Sequence, residues 1–232
     1  EAAVANEKEK KGGFNFEIAE YTPGHSKAIT SGPETITPGF DQITARTNLN
    51  ETAFFYPQLE TDAEGNIIFS FTMPEALTKW NFMGLAHTKD LQSSQIFSNV
   101  VTQKELMVQP NAPRFLREGD ELEFTTKISN LTDSILNGVA QLELFNALNM
   151  QPVDLAFANN VKEVKFTTNA KGSAVATWKL KIPSGFDAIV YRVKAKAGNF
   201  TDGEENALPV LTNRILVTEA LPLWVRGNKT AD

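Results

Sequence analysis

Apolar and polar residues alternate along most of this 232-residue chain. A period of two sends successive side chains to opposite faces of an extended strand, so the pattern predicts β-structure. Ile67, Phe69 and Phe71 alternate with polar residues after the turn-forming sequence DAEGN. Trp80, Phe82, Gly84 and Ala86 then share one face of a strand that follows MPEALTK, and residues 95–109 run on without Gly or Pro until Pro110. In PRFLREGDELEFTTKISN the pattern predicts two strands joined by Glu118-Gly119-Asp120, with Leu122, Phe124, Thr126 and Ile128 on a common face. Ala140, Leu142 and Leu144 continue the alternation. After a turn at 169–172, Ala174, Ala176, Trp178, Leu180 and Ile182 point one way, with Lys179 and Lys181 opposite. Ile189, Tyr191, Val193, Ala195 and Ala197 face inward on the next strand, and Arg192, Lys194 and Lys196 face solvent.

Short strands separated by turn residues at this spacing predict an all-β antiparallel sandwich of the fibronectin III or immunoglobulin kind. Residues 105–213 read as one complete seven-strand sandwich with a solvated sheet face, and residues 47–104 as part of another, the boundary following from strand counting. Helix is scarce, the best candidate being a turn or two near 147–158. The first 46 residues read differently. After a charged tail, Phe14, Phe16 and Ile18 alternate briefly, and then Pro, Gly, Ser and Thr dominate residues 21–46 without apolar periodicity. That composition predicts a tail and linker; the alternative is that residues 14–21 add an edge strand to a sheet built from later residues. Lys27 and Arg46 are the protease-accessible positions such a linker would offer.

Composition narrows the function classes. At 41% hydrophobic and 22% charged, the chain can bury at least one sizeable core. A net charge of −6 disfavours nucleic acid, whose affinity comes from clustered Lys and Arg on phosphates. No apolar run is long enough to span a membrane as a helix, and the first residues lack the apolar stretch of a signal peptide; a start at Glu1 suggests a processed or excised piece. Cysteine is absent, which removes disulfides and thiolate chemistry and leaves burial as the source of stability.

Catalytic and metal patterns are sparse. The histidines, His25 and His87, lie far apart, and no nucleophile elbow, P-loop or dinucleotide fingerprint occurs. The expected cofactor content is none. DGEEN, residues 202–206, collects three carboxylates that could hold a weak calcium ion, although a solvated turn is the simpler reading. Glu51 and Asp187 would support an enzyme only if they met in space. Four N-x-[ST] sequons, at Asn50, Asn130, Asn199 and Asn228, fall at expected turns or element ends. The three tryptophans, Trp80, Trp178 and Trp224, could form a sugar platform, but the inward parity of Trp80, Phe82, Trp178 and Tyr191 makes these four the expected core anchors.

NETAFFYPQLETDAEGNIIFSFTMPEALTKWNFMGLAHTKD, residues 50–90, resembles the segment after the cleavable region in the alpha-2-macroglobulin family, especially its bacterial members. Glu51 with Phe54, Phe55 and Tyr56, an apolar strand, a Pro-bearing turn and then Thr78-x-Trp80 carry the likeness. QKELMVQPNAPRFLREGDELEFTTKISNLTD resembles the start of the family's next macroglobulin-like domain, and GFDAIVYRVKAKAGNFTDGEENALPVL its closing strands with an acidic turn at 202–205. The resemblance implies macroglobulin-like sandwiches, one partial (47–104) and one complete (105–213), with 214–232 leading into a following domain. It further implies a non-catalytic piece of an extracytoplasmic, periplasmic or envelope-associated protease trap, whose partners are the other domains of its parent and the proteases it captures. A free-standing adhesion or carbohydrate-binding module is the competing expectation, since a sandwich does not fix a function.

Overall fold

The computed structural model describes residues 39–214, 217–222 and 227. Its first regular element is a 3-10 turn at Phe40–Gln42. Two strands, β1 (Lys79–His87) and β2 (Ser93–Val101), then form an antiparallel hairpin that pairs Trp80 with Val100 and Phe82 with Ser98. The remaining strands are β3 (Leu106–Asn111), β4 (Leu116–Arg117), β5 (Glu121–Asn130), β6 (Leu136–Asn146), β7 (Glu163–Thr168), β8 (Ser173–Lys181), β9 (Ala188–Ala197) and β10 (Phe200–Leu211). They make a five-stranded sheet in the order β4-β10-β9-β6-β7 and a three-stranded sheet in the order β3-β5-β8. No α-helix occurs among the described residues, and 154–158 form a turn rather than the short helix expected there.

The two sheets enclose one core, contributed by alternate residues of facing strands. Phe124, Ile128, Ala176, Trp178 and Leu180 come from the smaller sheet, and Ala140, Leu142, Leu144, Tyr191, Val193 and Ala195 from the larger. Phe124 and Tyr191 meet across the interior with ring centroids 5.2 Å apart. Burying such rings and branched chains supplies the main drive to fold in a chain without disulfides.

One expected pairing changes. The segments flanking Gly119 do not form a hairpin: β4 pairs in parallel with β10, whereas β5 joins β3 and β8 in the other sheet. Gly119 takes φ +87°, which suits a sheet-switching corner as well as a hairpin, so the glycine alone cannot tell the two apart. The turn at 169–172 likewise carries the chain between sheets, from β7 to β8. Residues 67–71, expected as a strand, have no ladder; Phe69 and Phe71 instead group with Phe54 and Tyr56 on the hairpin's side of the molecule.

Trp80 and Phe82 are half-buried and lie outside the main core. Phe82 packs beside the aromatic group around Phe54, whose ring centre lies 6.2 Å from its own. The opposite face of the hairpin leaves Met83, Leu85 and Phe97 each about 70% exposed (73%, 69% and 70%). Two strands cannot bury both their faces, and among the described residues no second sheet packs on this pair.

Candidate functional site

The densest polar arrangement lies where the chain approaches the sandwich, and Arg46 is its centre. This residue, expected on an accessible linker, is 6% exposed. Its backbone forms a parallel bridge with Glu204 on β10: the Arg46 amide donates to the Gly203 carbonyl at 2.8 Å, and the Glu205 amide donates to the Arg46 carbonyl at 3.0 Å. β4 covers β10 only at Val210 and Leu211, so residues 203–205 would otherwise present a bare sheet edge. Ala45 packs closely over Gly203, where a side chain on β10 would crowd the Ala45 backbone.

The guanidinium then reaches inward. Arg46 Nε donates to Asp202 Oδ1 at 3.1 Å and Nη2 to Asp202 Oδ2 at 3.1 Å, a two-pronged pairing that matches the planar fork to the carboxylate. Nη2 also lies 3.1 Å from Glu204 Oε2 and from the Val108 carbonyl on β3, and Nη1 donates to the Glu75 carbonyl at 3.3 Å. One side chain thereby touches both sheets and the segment that precedes the hairpin. Asp202 is 1% exposed and further accepts from Lys104 Nζ at 3.0 Å and from the Val108 amide at 2.9 Å. Burial pushes the Glu204 carboxyl above its ordinary value, against the pull of Arg46.

Glu75 fastens the same junction from the other side. Its carboxylate accepts from the amides of Thr47 and Asn48 at 2.9 and 3.0 Å, and these bonds hold its pKa below the usual carboxylate value. The 3-10 turn covers the outer face of β9: Lys194 Nζ donates to the Phe40 carbonyl at 2.9 Å, and Lys196 Nζ sits 4.3 Å from the centre of the Phe40 ring. Lys194, expected in solvent, is therefore only 7% exposed. Parity put it on the outer face correctly, but the segment that covers that face lies 154 positions away.

The acidic stretch 202–205 is a strand, not a turn, and its carboxylates are engaged by Arg46, Lys104 and Arg192. No group of three or more His, Cys, Asp or Glu suited to a metal occurs among the described residues. Glu51, Asp187 and His87 are exposed, and His25 and Lys27 lie outside the described residues. Trp178 is 3% exposed and donates to the Lys162 carbonyl at 2.8 Å, Tyr191 is 4% exposed, and the Trp80 indole donates to Thr102 Oγ1 at 3.0 Å; Trp224 lies outside the described residues. Asn130 is fully buried, its amide donating to the Ser134 and Asn169 carbonyls, so this sequon is closed to glycosylation in the folded chain.

Residues 52–142, from the aromatic group before the hairpin to the middle of β6, match the sequence model of the alpha-2-macroglobulin family. Over those residues the chain is similar to that family. An alpha-2-macroglobulin of Thermotoga maritima is 26% identical over 169 residues, covering 73% of this chain and 10% of that protein. An alpha-2-macroglobulin homolog of Nostoc sp. is 27% identical over 152 residues, covering 56% of this chain and 8% of its own. The chain thus spans about a tenth of the length of those curated relatives. Among solved structures, trypsin-activated alpha-2-macroglobulin from Escherichia coli aligns with 66% of this chain and 10% of its own, at 16% identity and a TM-score of 0.49. Salmonella alpha-2-macroglobulin reacted with methylamine aligns over the same shares at 16% identity and a TM-score of 0.47.

Proposed function

We propose that this chain is non-catalytic framework in a protease-trapping protein that works outside the cytoplasm. In this reading β3–β10 form one macroglobulin-like domain over 105–213, residues 47–104 supply the C-terminal portion of a second, and 214–232 lead into a third. Residues 21–38 hold the stretch that a target protease cuts; Arg46, being buried, is not part of it. The match of residues 52–142 to the alpha-2-macroglobulin family model supports the trapping role.

The observation that carries the framework reading is the contrast between a closed sandwich and a hairpin whose Met83, Leu85 and Phe97 stand exposed on one face. A surface of that kind needs further protein against it, which a multidomain parent supplies. Burial of Trp178 leaves no ring face there on which a sugar could stack.

The test is made on the parent protein with trypsin or elastase. The expected result is that bound protease still hydrolyses a small peptide substrate but loses action on a large protein, with the first cut between residues 21 and 38. Equal loss of both activities, or a first cut within the loops of β3–β10, contradicts the proposal.

A further inference from the structure

We propose that the edge of β10 and the adjoining end of β3 form a binding site for an extended, arginine-bearing chain segment, and that residues 43–48 stay seated there after the chain has been cut upstream. Among the described residues, positions 43–48 themselves supply the contacts that seat this segment. Ile43 is 6% exposed, Arg46 supplies two backbone and several side-chain bonds, and the Thr47 and Asn48 amides are held by Glu75. The receiving groups, Asp202, Glu204 and the Val108 and Gly203 carbonyls, belong to the sandwich.

The chemistry selects arginine. Two oxygens of Asp202 accept from two nitrogens of one planar group while a carbonyl and a second carboxylate take its remaining reach, whereas a lysine ammonium offers a single point of donation. A cut before residue 39 therefore separates the two parts of the chain and leaves the sandwich edge covered, so the newly freed end emerges beside β9 where Phe40 packs. The inference does not depend on which protease cuts, or on trapping.

The 232-residue chain is treated with dilute trypsin and followed by mass spectrometry and by amide exchange. Cleavage after Lys27 is expected well before any at Arg46–Thr47, and in the cut product the Arg46 and Glu205 amides keep the slow exchange they show in the intact chain. In Arg46→Lys, which trypsin still recognises, the same bond is cut at least about tenfold faster, because the weaker seating opens more often. Cutting after Arg46 as fast as after Lys27, or loss of protection at Arg46 once Lys27 is cut, overturns the proposal. If Arg46→Lys fails to fold, the exchange comparison on the unaltered chain decides alone.

Discussion

Arg46 and Asp202 lie 156 positions apart and meet through two hydrogen bonds of 3.1 Å, both partners almost fully buried. The pair does more than join two charges. It closes the exposed edge of β10, ties the segment before the hairpin to the sandwich through Glu75, and spans the two sheets through Val108. Taking two charges out of water is expensive, and the extra donors from Lys104 and the Val108 amide offset that cost.

Tyr191 gives the fold an alkaline weakness. Burial, reinforced by nearby Glu204, pushes its phenol up to about 12 from an ordinary 10.0. The unfolded chain then loses its proton first, so stability is intact below pH 10 and falls as pH rises from 10 towards 12, by up to ~1.4 kcal/mol per unit. Urea unfolding at several pH values should show this decline, and Tyr191→Phe should flatten it. A variant that declines just as steeply would assign the effect elsewhere.

Gly138 on β6 is required by close approach. A methyl group there would collide with the Lys196 carbonyl, the Phe166 ring and the Ala197 side chain. Gly138→Ala should destabilise by about 1–3 kcal/mol, the usual range for overpacking. Thermal melting checks it; an unchanged midpoint would mean that β9 and β7 shift at little cost.

The two described tryptophans should separate on mutation. Trp178 fills the closed core, and Trp80 on the hairpin is only half-buried. Trp178→Ala should cost about 3–5 kcal/mol, and Trp80→Ala clearly less, since only part of its area leaves water. Parallel denaturant titrations decide, and equal losses would put the hairpin inside the same cooperative unit.

This difference marks how far the sequence could be read. Parity along β5, β6, β8 and β9 is legible because a sandwich core filters every second residue: Phe124, Leu142, Trp178 and Val193 are buried where the pattern puts them. Parity says nothing about what lies opposite. Trp80 and Trp178 occupy the same kind of position in the pattern and differ, among the described residues, in whether a second sheet faces them. Arg46 was illegible for a related reason. A lone charge after a Pro- and Thr-rich stretch looks solvated, and its partners appear in the sequence only as an acidic run that resembles a turn. The swap of β4 to the larger sheet was hidden because a positive-φ glycine serves hairpins and corners alike.

The central claim is that one buried pair fastens the incoming segment to the sandwich, and a double-mutant cycle with Arg46→Met and Asp202→Asn measures it most directly. Each single variant strands a buried group and should lose more stability than its share of the double, giving a coupling of about 1–3 kcal/mol by urea unfolding. Additive losses, with coupling within about 0.5 kcal/mol of zero, would mean that the two residues do not depend on each other and would contradict the account.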